Sequence, residues 1–144
     1  MKSINEVNAT EGADIKERKR HIFPFTIAYA DTDAGGIVYH ARYIEIAERA
    51  RMNWLKCFVP PDGDLGIVVK EITVKYLHAL KVGEEIRVES IVTNIGGASI
   101  SLEQKIMKDG VVHAILTGTA VYLGANKRPK RIPETILSII ADYI

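Results

Sequence analysis

A chain of 144 residues, 47% hydrophobic and 26% charged, has the composition of one soluble globular domain and can bury roughly two thirds of its unfolded surface without a disulfide or structural metal. Nineteen basic residues against 18 acidic ones leave a net charge of +1, which excludes a bulk attraction to nucleic acid or to an anionic membrane and leaves only local basic patches. The single cysteine, Cys57, cannot close an intramolecular disulfide, no stretch reaches about 20 apolar residues, and the first twenty lack a signal-like apolar run, so a cytoplasmic protein without a membrane span is expected.

Residues 1–20 are polar and end in the charge run KERKR, which reads as a loosely ordered extension ahead of a single domain over 21–144. From His21 the pattern alternates: Phe23, Phe25, Ile27 and Tyr29 occupy one face, the period of a half-buried strand. Pro24 lacks an N–H, so this strand should lie at a sheet edge or begin late.

Between Ala41 and Lys56 the period becomes helical. Tyr43, Ala47, Ala50 and Trp54 form the apolar stripe, with Ile44 and Leu55 beside it, and Arg42, Glu45, Glu48, Arg49 and Arg51 form the polar face. VPPDGD at 59–64 ends it, because two prolines remove donors and Asp-Gly favours a turn.

Strand alternation then runs to about residue 125, through Ile72, Val74 and Tyr76, Ile86 and Val88, and Ile100 and Leu102. NIGG at 94–97 and KDG at 108–110 supply hairpin turns, giving an antiparallel meander, and 133–144 has the stripe of a short closing helix. The order of one strand, one long helix and four strands is α+β. A helix on one sheet face leaves the other face to be covered, which an oligomer would do.

The segment YADTDAGGIVYHARY, residues 29–43, carries the most chemistry. As a calcium loop it would use Asp31 and Asp33, but its twelfth position is Arg42 where a bidentate glutamate is required, so the cation is repelled. His21, His40, His78 and His113 are too scattered for a zinc motif, and no phosphate loop, dinucleotide fingerprint or nucleophile elbow occurs. No metal or cofactor is called for. What remains is either an ordinary turn or a site in which Asp33, ahead of the Gly35–Gly36 pair, faces the unpaired N–H groups of a helix start near His40. A carboxylate and N–H donors so placed can supply a base or nucleophile and an oxyanion site.

DTDAGGIVYHARY, followed by ERAR, closely resembles the signature of hotdog-fold acyl-CoA thioesterases related to 4-hydroxybenzoyl-CoA thioesterase, especially the branch associated with the bacterial Tol-Pal system. The likeness continues through VVKEITVKYLHALKVGEEI and KRPKRIPETI and spans about residues 21–136. It implies a hotdog fold, a long central helix wrapped by an antiparallel sheet of about five strands, assembled as a homodimer or homotetramer. The implied catalytic groups are the Asp33 carboxylate, as nucleophile or as general base, and the His40 backbone N–H as oxyanion donor. Asp31 is left to shape the loop, and Tyr39 and Tyr43 to line an acyl pocket. The substrate implied is an acyl thioester of CoA or of acyl carrier protein. Its nucleotide phosphates would meet Lys127, Arg128, Lys130 and Arg131, with backbone N–H groups offered by the turn at Gly97 and Ser99.

Two other readings stand beside this one. HIFPF at 21–25 faintly resembles the start of some acyl dehydratases, although no partner glutamate follows at matching helical spacing. A non-catalytic acyl-CoA-binding or envelope scaffold protein would keep Asp33 without turnover.

Overall fold

The computed structural model describes residues 19–56 and 58–144; most of the expected polar extension, and Cys57, lie outside them. Five strands form one antiparallel sheet: β1 (His21–Thr26), β2 (Gly66–Tyr76), β3 (Glu85–Ile95), β4 (Ser99–Lys108) and β5 (Val111–Leu123), in the order β1-β3-β4-β5-β2. The meander is β3 to β5, whereas β2 crosses to the far edge beside β5 and β1 takes the opposite edge beside β3. Pro24 sits on that edge strand, where the missing N–H costs no ladder bond. Asp109 and Gly110 both adopt positive φ, 50° and 78°, which the twist of a two-residue hairpin demands.

The helix α1 (Arg42–Leu55) lies across the inner face, and Lys56 closes it in a left-handed conformation ahead of the prolines. Tyr43, Ala47, Ala50 and Trp54 are buried as their spacing requires, but the fifth buried residue is Ile46 rather than Ile44, which is exposed. Alanines at 47 and 50 let the helix approach the strands closely. Two apolar clusters result. The one under the N-terminal half of α1 contains Ile27, Val38, Tyr43, Ile46, Leu80 and Val88. The other, under its C-terminal end, joins Trp54, Val92 and Tyr122 to Ile132, Ile136 and Ile140 on the closing helix α2 (Glu134–Ile140).

One expectation needs correction. Tyr29 does not extend β1; it falls in a short 3-10 turn, Tyr29–Asp31, and is 83% exposed. The outer sheet face is mixed: Glu89 lies against Lys105, Glu103 against Thr117, and Ser101 against Thr119 with hydroxyls 3.1 Å apart, while Ile91, Ile115 and Val121 add apolar side chains among them.

Candidate active site

The opening stretch folds into a narrow hairpin between β1 and α1. Thr32 pairs with Val38, the Asp33 N–H donates to the Ile37 carbonyl at 3.0 Å, and the Gly36 N–H returns to the Asp33 carbonyl at 3.0 Å. Gly36 has φ +82°, a conformation open to glycine and strained for most side chains. The strand of this hairpin that leads to the helix is tied inward by Val38 N–H to Leu80 O at 2.8 Å. The loop is therefore a fixed support.

Asp31 is at its base and is buried. Its Oδ2 accepts the Ala28 N–H at 2.7 Å, its Oδ1 faces the Arg42 Nε at 3.1 Å, and its carbonyl accepts the Tyr39 N–H at 3.0 Å. Arg42 also reaches the Ala30 carbonyl and Glu45. Arg42 was placed on the solvated face by periodicity; in the fold it bolts the hairpin to the helix.

Asp33 is at the hairpin tip and exposed. Its Oδ1 accepts the Gly35 N–H at 2.8 Å, which orients the carboxylate, while Oδ2 has no hydrogen-bond partner among the described residues. Orientation by one oxygen leaves the other for a proton or a carbonyl carbon.

The helix start supplies the second element. No side chain caps α1 at Ala41. The Arg42 N–H donates back to Tyr39 O at 2.8 Å, and the His40 N–H has no acceptor among the described residues. In a trans peptide the N–H and C=O point in opposite directions. Tying the Tyr39 carbonyl into the turn therefore turns the His40 N–H outward, with the positive end of α1 behind it.

His40 itself is exposed, its ring 4.6 Å from that of Tyr39. His40, Ile37, Val38, Tyr43, Tyr76 and Leu77 line an open cleft. Tyr43 is its buried floor. Burial first, then the nearby Tyr76 and Glu84, raises its phenol above the ordinary tyrosine range. Tyr39, although half-exposed, is not among the residues lining that cleft.

The remaining candidates are elsewhere. The turn at 96–99 packs on the end of β5 and on the segment after it: Tyr122 N–H to Ala98 O is 2.8 Å and Ile132 N–H to Gly97 O is 3.0 Å. Ser99 has already entered β4, opposite Val121. Lys127, Arg128 and Arg131 are exposed on this segment, but the Lys130 ammonium lies 3.0 Å from Asp64 Oδ2 and 3.1 Å from Oδ1. Asp64 also accepts the Tyr122 hydroxyl at 2.8 Å. This end of the molecule sits under the C-terminal half of α1, a 14-residue helix about 21 Å long at 1.5 Å per residue. The chain thus keeps Asp33 and His40 at the N-terminal end of α1 and the basic segment at the other end.

His21 likewise lies away from the hairpin. It is stacked on Trp54 at 5.3 Å with its Nε2 3.0 Å from Asn53 Oδ1, so nothing in its position serves the dehydratase reading.

Residues 27–140 match the family model of the thioesterase-like superfamily. The chain belongs to this superfamily. As a member of it, the chain is a thioester hydrolase. It is 35% identical over 122 residues to the acyl-CoA thioesterase YbgC of Haemophilus influenzae, covering 79% of this chain and 89% of that relative. It is 28% identical over 130 residues to the YbgC acyl-CoA thioester hydrolase of Escherichia coli, covering 84% and 93%. A 1,4-dihydroxy-2-naphthoyl-CoA thioesterase from Synechocystis superposes with TM-score 0.79 at 16% identity over 86% of this chain and 97% of its own, and shares the hotdog fold of thioesterase-superfamily members. No helix of the described residues is long and apolar enough to cross a membrane.

Proposed function

We propose that this chain is an acyl-CoA thioesterase in which Asp33 and the His40 N–H act on opposite sides of the thioester carbonyl. The His40 N–H carries the reading: it is a peptide donor left without an acceptor among the described residues and aimed outward at the start of α1. The thioester oxygen accepts from that N–H, and negative charge grows on it as the carbonyl carbon becomes tetrahedral. A fixed donor at that point is worth about 3 kcal/mol of transition-state stabilisation.

Asp33 then either removes a proton from the attacking water or attacks the carbon itself, forming a mixed anhydride that water cleaves. In both routes the C–S bond breaks, the thiolate of CoA takes up a proton, and a carboxylic acid leaves. The cleft of Tyr43, Tyr76 and Leu77 beside His40 supports placing the acyl group there.

The distance between the basic segment and the hairpin supports a site completed by a second subunit. β2 is an 11-residue edge strand with Val68, Val69 and Tyr76 exposed, and it is open to pairing along its outer side. Antiparallel pairing of two β2 edges about a two-fold axis brings the Tyr76 end of one protomer beside the Gly66 end of the other. Asp64 and Lys130 mark that second end. The partner subunit's Lys127, Arg128 and Arg131 then lie on the side from which the CoA phosphates approach this protomer's hairpin. A cytoplasmic homodimer is the assembly this reading requires.

Incubating the protein with a panel of acyl-CoA and acyl carrier protein thioesters and a thiol reagent tests it. Free CoA should appear with the wild type and fall to background with Asp33→Asn at unchanged circular dichroism. Wild-type-like turnover by that variant, or release only from acyl carrier protein, sinks the assignment as stated.

A further inference from the structure

The hydroxyl of Tyr76, the last residue of β2, donates to the carbonyl of His40 at 2.7 Å. Among the described residues it is the one side chain that hydrogen-bonds the backbone of residues 40 to 42, and α1 has no side-chain cap of its own. The Tyr76 ring meets Tyr43 edge-on, with centroids 5.1 Å apart and planes at 83°, so it cannot swing without disturbing the first turn. The strand therefore reaches into the peptide that follows the oxyanion donor.

Two peptides share the Cα of His40. The preceding one is fixed through Tyr39 O and the Arg42 N–H, and the following one through His40 O and the Tyr76 hydroxyl. With both carbonyls held, neither soft dihedral of His40 can relax, and the direction of its N–H is set. We propose that Tyr76 is a positioning residue of the thioesterase: its hydroxyl holds the His40 N–H on the developing oxyanion, while its ring walls the cleft that receives the acyl group. This rests on the thioesterase reading given above. It separates two roles within one side chain, one felt in the transition state and one in substrate binding.

Replacing Tyr76 by Phe keeps the ring and removes the hydroxyl; replacing it by Leu removes both. For Tyr76→Phe, kcat should fall roughly tenfold, less than the 10²–10³ for outright loss of such a donor, with KM unchanged. Amide hydrogen exchange at His40 to Arg42 should quicken while the remaining strands keep their protection. For Tyr76→Leu, KM should rise as well. A Tyr76→Phe enzyme with wild-type kcat, or one changed only in KM, overturns the proposal whatever its exchange shows. Wild-type turnover is measured first on the same thioester panel: an inert wild type overturns the thioesterase reading and this inference with it, whereas an active wild type with an indifferent Tyr76→Phe overturns the inference alone.

Discussion

Arg42 Nε stands 3.1 Å from Oδ1 of Asp31, joining the first residue of α1 to the base of the hairpin that carries Asp33. The carboxylate is buried and the guanidinium about one third exposed, so the pair is shielded on one side and wet on the other. Its value is geometric. It fixes the angle between hairpin and helix, and with it the separation of Asp33 from the His40 N–H.

Arg42→Met should therefore uncouple stability from activity. Loss of the charge partner leaves Asp31 with the Ala28 N–H alone, a cost of about 2 kcal/mol once the guanidinium's exposure is allowed for. Turnover should drop by more than that change in stability explains, because under the proposed mechanism a small misplacement of Asp33 or of the His40 N–H costs rate steeply. Urea unfolding and kcat measured on the same preparation check it: proportionate small losses in both would show that the pair has no role in aligning the site.

The backbone role of His40 can be separated from that of its ring. His40→Ala keeps the N–H and should retain most of the turnover. His40→Pro removes the N–H at a position just ahead of the helix, where proline is sterically acceptable, and should lower kcat by about 10²–10³. If Ala and Pro lose activity equally, the imidazole rather than the peptide carries the effect.

Much of this was readable from pattern, and the reason lies in which interactions are local. The β1 alternation and the Tyr43, Ala47, Ala50, Trp54 stripe follow directly from periods of 2 and 3.6. The meeting of the Asp33 hairpin with the helix start at His40 was legible because hairpin, glycines and helix start are contiguous in the chain. Arg51 and Lys130 were not. Arg51 sits on the polar side of the helical pattern, yet it is half-buried and bonds Gln104, 53 residues away, and Lys130 pairs with Asp64 across 66 residues. A charged residue looks solvated in sequence whenever its partner lies on another element. Tyr76 was seen only as a strand residue, because its bond to His40 spans 36 positions.

Gln104 offers a stability test of this hidden polar layer. Its amide donates to Ala47 O and Ser90 Oγ, each at 3.1 Å, and its carbonyl accepts from Arg51 Nη1 at 3.0 Å. Burial already pulls the Arg51 guanidinium below its ordinary range, with the nearby Glu48 opposing. Gln104→Leu fills similar space but leaves the Arg51 and Ser90 groups unpaired, so a loss of about 2–3 kcal/mol is expected, read from the urea midpoint at unchanged m-value. A neutral or stabilised variant would mean that water or a rearranged Arg51 satisfies these groups.

The Asp64 cluster predicts how stability responds to pH. The Tyr122 hydroxyl, opposed by burial and aided by Lys130, holds the Asp64 carboxyl below its ordinary range. Since the folded state releases this proton more readily than the unfolded one, the stabilisation is present above the unfolded pKa of about 3.9 and is lost as pH falls through the lower folded value. Burial and Asp64 together push the Tyr122 phenol up to about 12. Its sign is opposite: the contribution is complete below the unfolded pKa of about 10 and disappears between there and the folded value. Asp64→Asn should accordingly lower Tm at pH 7, flatten its decline below pH 4, and shrink the alkaline decline above about pH 10, because without its anionic acceptor the folded Tyr122 value moves back toward the unfolded one. Thermal melts of both proteins from pH 3 to pH 11 decide this. Parallel curves at the acid end would show that Asp64 titrates alike in the folded and unfolded chain, and that its bonds to Tyr122 and Lys130 contribute nothing to the acid response.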